Sequence, residues 1–162
     1  MEQAVPLIFS RESLPPAPGW LARGLAAVVS LTCLTFLVIG ARLTPAAGGT
    51  GTHEQLGMPP CAFLERTNLP CPACGFTTSV SHFAHGNVAA SAYLQPMGFV
   101  IAVAFAATVW VGGYVAVTGR PVYRLLGRLP GRGILIALLA VAVGAWAWKT
   151  FLHLSGRDHW PP

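Results

Sequence analysis

Charge is what this sequence has least of: Asp, Glu, Lys and Arg make up 9% of its 162 residues, against about 25% in a soluble domain. A surface that poor in charge cannot be wetted all round. With 54% of the residues hydrophobic, the excess apolar area faces something other than water, and the lipid bilayer is the partner that fits. Acids are scarcer still. They are Glu2, Glu12, Glu54, Glu65 and Asp158, no two of them placed as an acid–base pair, and Glu65 beside Arg66 reads as a solvated local pair. The motifs G-x-x-x-x-G-K-[ST], G-x-S-x-G and H-E-x-x-H are also missing, which removes ATP hydrolysis, serine hydrolysis and zinc proteolysis. The net charge is +5, yet no basic stripe is interleaved with aromatics, so nucleic acid is not the expected partner. The length leaves no room for a separate cofactor domain. No segment alternates with the two-residue period of a barrel strand.

What is present is apolar sequence in long runs. A hydrocarbon core of about 30 Å takes about 20 helical residues to cross, and three stretches qualify. They predict transmembrane helices over 24–41, 92–117 and 133–154, the second most apolar from Met97 to Val117, with Pro96 as a helix-start proline or a kink. The third is long enough if Lys149 snorkels to the headgroups, and on that reading no charge is buried in a span, which disfavours ion or proton transport. Backbone groups in lipid must bond within their own segment, so the expected fold class is an all-α integral membrane protein. Ala102 with Ala106, and Ala140 with Gly144, are small-residue pairs that would let helices approach closely, although alanine is abundant enough here to give such pairs by chance. Trp20, Tyr93, Tyr123 and Trp148 lie near predicted ends, as interfacial aromatics do, whereas Trp110 falls mid-span.

Arg120, Arg124, Arg128 and Arg132 crowd the connector 118–132, and Arg11 and Arg23 precede the first span. The positive-inside rule then places the N-terminal segment 1–23 and that connector in the cytoplasm, and the loop 42–91 and the tail 155–162 outside it. The first span is too long for a signal-peptide core and reads as a signal anchor, with Ala46 and Ala47 leaving cleavage open.

The loop holds the distinctive chemistry. After a Gly- and Thr-rich linker from Pro45 to Gly51 comes Cys61, then Thr67, then Cys71-Pro72-Ala73-Cys74-Gly75 and Thr77, then His82, His85, Gly86 and Asn87; Cys33 lies in the first span as a small buried hydrophobe. Three chemistries compete for the C-x9-C-x2-C-x7-H-x2-H spacing. In an oxidising compartment the leading one is a structural disulfide between two of Cys61, Cys71 and Cys74. The second is thiol–disulfide exchange, with Cys71 as nucleophile at a helix start opened by Pro72, Cys74 resolving and Cys61 as a relay thiol. The third is metal binding, in which Cys61, Cys71 and Cys74 with His82 or His85 give zinc its four N/S ligands. Haem attachment fails because glycine, not histidine, follows Cys74, and too few cysteines remain for an iron–sulfur cluster. His85 before Gly86-Asn87 also reads as a helix end. Thr77, Thr78 and Ser79 are expected to cap a short interfacial helix from Val80 to His85.

Cys61, Thr67, Cys71, Pro72, Cys74, Gly75, Thr77, His85, Gly86, Asn87 and Pro96 together resemble the pattern of DUF2752, a family of small bacterial membrane proteins. Asn68 stands where that family usually has glycine, Ala73 where glycine is frequent, and Thr78 where arginine is expected. The resemblance implies a multi-pass protein of the bacterial inner membrane and carries no established activity. The function expected is therefore a non-enzymatic membrane component, with no cofactor other than zinc, whose cysteine-ordered external loop contacts a membrane protein partner or a second copy of the chain. A membrane thiol oxidoreductase using Cys71 and Cys74 is the alternative.

Overall fold

The computed structural model describes residues 19–120 and 131–161; Arg11, Tyr123, Arg124, Arg128, Glu2 and Glu12 lie outside them. Among the described residues six α-helices follow in chain order: α1 Trp20–Arg42, α2 Ala62–Thr67, α3 Phe76–Ala84, α4 Val88–Leu94, α5 Pro96–Thr118 and α6 Gly131–Leu154, with a 3-10 turn over Thr52–Leu56. No strand occurs among the described residues. α1, α5 and α6 have 23, 23 and 24 residues. At about 1.5 Å per residue each is about 35 Å long, enough to cross the hydrocarbon core. Their outer faces carry exposed Leu25, Val29, Leu31, Ile136, Leu139 and Val143, a surface stable only against lipid or another apolar face. The chain is an all-helical, multi-pass membrane protein.

α1 and α5 pair most closely. At their crossing Ser30 Oγ donates to the Val109 carbonyl at 2.9 Å, and a Cβ on Gly112 would come within 3.1 Å of the Ala26 carbonyl oxygen. Small residues here allow the backbone approach that drives association in lipid. Phe36 and Phe105 stack at 5.6 Å along the same seam. Of the expected small-residue pairs, Ala102 is fully buried. Ala140 and Gly144 are exposed, and a Cβ on Gly144 would meet nothing; the buried small residue of that turn is Ala145, because α6 presents a different face inward. Arg23 donates from Nε and a terminal nitrogen to the Ala116 and Val117 carbonyls, at 3.0 and 3.1 Å. It thereby serves the unpaired carbonyls at the end of α5.

Pro96 starts α5 at its first helical position, where its missing N–H has no partner to lose, rather than kinking it. α3 differs from expectation. It begins at Phe76 with Gly75 as N-cap, and Thr77, Thr78 and Ser79 cap nothing. The hydroxyls of Thr78 and Ser79 are committed elsewhere: Thr78 Oγ1 lies 2.8 Å from Thr52 Oγ1, and Ser79 Oγ lies 2.9 Å from Ser91 Oγ and donates to the Ser91 carbonyl at 2.9 Å. α3 packs against α1, α4 and α5 with Thr78, Ser79, Val80 and Ser81 buried. Ser81 Oγ ties it to the end of α1 through the Leu43 carbonyl at 2.7 Å. The Pro45–Gly51 stretch is held rather than free: the Ala46 N–H donates to Thr52 Oγ1 at 2.9 Å, and Gly49 is buried.

The end of α6 departs furthest from the sequence reading. Lys149 does not snorkel; its side chain has no exposed surface. Its ammonium donates to the Gly49 carbonyl at 3.2 Å and sits 3.7 Å from Asp158. Residues 155–161 fold back to make this possible. Asp158 Oδ2 also meets His153 Nδ1 at 3.1 Å, Tyr93 Oη donates to the Arg157 carbonyl at 3.2 Å, and the Tyr93 ring packs edge-on against Trp148 and tilted against Trp160. The cysteine segment and the C-terminal residues therefore share one end of the helical bundle.

Candidate metal centre

The segment Cys71-Pro-Ala-Cys74 forms a β-turn closed by the Cys74 N–H donating to the Cys71 carbonyl at 2.9 Å. Proline fits its second position because the ring presets the required φ. Gly75 then takes a left-handed conformation (φ 83°), redirecting the chain into α3. A Cβ there would lie 2.7 Å from the Gly49 carbonyl oxygen and 3.4 Å from Lys149 Nζ, so the position requires glycine twice over. Cys71 thus opens a turn and not a helix. The helix itself starts five residues later, at Phe76.

Cys61 arrives from the other side as the N-cap residue of α2. Thr67 closes that helix by donating to the Phe63 carbonyl at 2.7 Å, and Asn68 follows it in the left-handed conformation (φ 53°). Asparagine is among the few residues besides glycine that tolerate this geometry, which explains the departure from glycine at that position. Two side chains then fix the turn. Gln95, 1% exposed, donates from Nε2 to the Pro72 and Cys74 carbonyls at 3.1 and 3.2 Å, while its Oε1 has no partner. Trp146 of α6 donates from its indole to the Pro70 carbonyl at 2.9 Å.

The result is a triangle of sulfur. Cys74 Sγ lies 3.1 Å from Cys71 Sγ and 3.5 Å from Cys61 Sγ, and all three sulfurs fall within 4.8 Å of one another. A disulfide needs about 2.05 Å. The expected bridge is therefore not formed, and Cys33, Cys61, Cys71 and Cys74 are all free thiols. The reason is that the segment brings three sulfurs to one point and favours no pair. The Cys71 N–H donates to Cys74 Sγ at 3.1 Å. Burial nevertheless dominates and pushes the Cys74 thiol up to about 12, with the neighbouring sulfurs adding to the shift. Cys61 is held below the ordinary thiol value, chiefly because the Leu64 backbone N–H at the start of α2 faces its sulfur.

The sulfurs line a cleft of about 400 Å³ whose wall also includes His53, Glu54, Glu65 and Thr77. Among the described residues no ion pair joins Glu65 to Arg66. His82 and His85 do not join the sulfurs. His85 Nδ1 lies 2.8 Å from the Ser81 carbonyl, Gly86 takes the left-handed conformation (φ 80°), and Asn87 caps α4 by accepting from the Ala90 N–H at 3.1 Å. That is the helix-end role the His-Gly-Asn sequence suggests. Burial, with the charge of His85, lowers the pKa of His82.

The sequence reading missed His53, Glu54, Gln95, Lys149 and Trp146 as neighbours of the sulfurs. For two of them a signal existed: an amide directly before a helix-start proline, and a lysine inside an apolar helix, which in membranes is a functional residue by default.

Comparison with known proteins agrees with the segment that geometry singles out. Residues 61–109 match the family model described as protein of unknown function (DUF2752). No curated protein and no solved structure matches the chain.

Proposed function

Because the chain belongs, over residues 61–109, to the DUF2752 family of unknown function, we propose from its own geometry that it is a membrane-anchored zinc-binding module whose ligands are Cys61, Cys71 and Cys74. The observation that supports this is the sulfur triangle. Tetrahedral thiolates at about 2.3 Å from zinc stand about 3.8 Å apart, and the sulfurs here are spaced at 3.1 Å, 3.5 Å and no more than 4.8 Å. Small side-chain adjustments would complete the site. Three protein ligands leave a fourth position, and that position borders the cleft, where water or a Glu54, Glu65 or His53 side chain can fill it. An exchangeable fourth ligand suits acquisition or transfer of the ion better than a purely structural role.

The basic residues Arg120 and Arg132 lie at the opposite end of α5 and α6 from the sulfurs. By the positive-inside rule, the module faces the non-cytoplasmic side of a bacterial inner membrane. Zinc bound there would also shield the thiols from oxidants.

Cobalt titration of the purified full-length chain, kept reduced in detergent, tests the reading. One equivalent of Co²⁺ should produce a sulfur-to-cobalt charge-transfer band that zinc abolishes and Cys71→Ser removes. Absence of the band in the unaltered chain overturns the proposal. Because the Cys74 thiol is protonated at neutral pH and must release its proton to a metal, the apparent Kd should fall by about tenfold or more per unit as pH rises from 6 to 8. In intact cells, a membrane-impermeant thiol reagent should label the sulfurs only after chelation; labelling confined to permeabilised cells would reverse the orientation.

A further inference from the structure

Lys149 belongs to no part of the site as proposed so far, yet it is the most deeply buried charge among the described residues. Its side chain is fully buried in a membrane-spanning helix, and it lies directly beneath the cysteine turn, where its Nζ would touch a Cβ on Gly75 at 3.4 Å. An ammonium carries three donors. Among the described residues it forms one ordinary hydrogen bond, to the Gly49 carbonyl at 3.2 Å, together with a long ion pair to Asp158 at 3.7 Å. Asp158 in turn is divided, since its Oδ2 stands closer to His153 Nδ1, at 3.1 Å. A buried cation so weakly paired is costly unless further negative charge forms nearby.

We infer that Lys149 is the counter-charge of the loaded sulfur centre, a positioning residue that favours the anionic metal–thiolate state of Cys61, Cys71 and Cys74. The charge balance supports the assignment. Three thiols release three protons when they take up a divalent cation, so the centre passes from neutral to a net charge of minus one. That charge arises at half-buried Cys61 and Cys71 and buried Cys74, the last next to the glycine whose added Cβ would lie 3.4 Å from Lys149 Nζ. Asp158 opposes the effect by drawing the ammonium toward the C-terminal residues. The two residues therefore act on the metal in opposite directions, even though they act on the fold in the same direction, as partners of one ion pair. This inference rests on the metal-binding reading and adds the residues that tune it.

Cobalt titrations of the full chain with Lys149→Gln, Lys149→Arg and Asp158→Asn test the assignment, with the charge-transfer band as readout and a thermal melt as the folding control. Lys149→Gln should raise the Co²⁺ Kd by about tenfold or more, the effect of removing one nearby opposite charge. Lys149→Arg should restore most of that loss. Asp158→Asn should lower the Kd even though it weakens the fold. If Lys149→Gln leaves the Kd unchanged, or if Asp158→Asn weakens binding in step with a lost melting temperature, the pair is structural and the inference is overturned. Should Lys149→Gln not fold, the sign of the Asp158→Asn shift alone decides. A band absent from the unaltered chain would instead overturn the metal reading from which this inference starts.

Discussion

The threonines of the spans and the buried hydroxyls of the segment between α1 and α5 behave in opposite ways. In the spans, Thr32, Thr35 and Thr108 each donate to the carbonyl four residues back in their own helix, at 2.9, 2.9 and 2.7 Å. In the segment between α1 and α5, Thr52 reaches Thr78, Ser79 reaches Ser91 and Ser81 reaches Leu43, each bond joining separate elements while fully or nearly buried. The first arrangement satisfies a polar atom in lipid without joining anything. The second joins the short helices that a small apolar core could not hold alone. Apolar surface therefore places the spans, and polar bonds place the sulfurs.

The sharpest way to break this contrast is at the cysteine turn. Gly75→Val introduces a branched side chain at a positive φ and drives it into the Gly49 carbonyl. We expect a loss of about 3 kcal/mol or more in thermal or denaturant unfolding and loss of the cobalt band, while helical content of the spans is retained. Gln95→Leu comes next. It strips the amide donors from the Pro72 and Cys74 carbonyls and should cost about 1–3 kcal/mol, weakening metal binding with no change in membrane insertion; unaltered affinity would mean that the turn holds itself. The finest comparison lies within α1. Ser30→Ala removes a bond to α5 and should cost about 0.6 kcal/mol, whereas Thr35→Val, which loses only a bond within its own helix, should fall within about 0.5 kcal/mol of zero. Equal losses from the two changes would erase the distinction between linking and self-satisfied hydroxyls.

Much of the fold was legible in the sequence because lipid imposes a strong rule: uncharged runs of helical length stand out, and α1 and α6 contain the runs expected, while the second run is broken at Gln95, its first residues lying in α4 and the rest in α5. The same holds for the helix break at His85-Gly86-Asn87 and the helix start at Pro96, where proline and glycine act locally. What escaped was set by partners distant in sequence. Nothing local to Lys149 distinguishes a side chain reaching for headgroups from one reaching Gly49 and Asp158. The cap at Gly75 hid behind Thr77-Thr78-Ser79, whose hydroxyls suit a cap but are committed to Thr52 and Ser91. Spacing brought the cysteines together correctly, yet it could not say whether two sulfurs would bond or three would converge. His53 and Glu54 reach the cleft only through the 3-10 turn over Thr52–Leu56, which no periodicity announces.

The packing of α6 has a mechanical consequence. Its first ten residues are exposed throughout, and its buried residues are Ala145, Lys149 and Leu152, so among the described residues the helix is fastened at its C-terminal end, like a rod in a socket. From Trp146 back to Gly131 the free arm is about 22 Å long at 1.5 Å per residue. A tilt of about 10° at the socket would swing its tip through about 4 Å by that measure. Because the socket consists of the Trp146 bond to Pro70 and the Lys149 bond to Gly49, any neighbour in the bilayer that leans on the arm pulls on the strands of chain that flank the sulfurs.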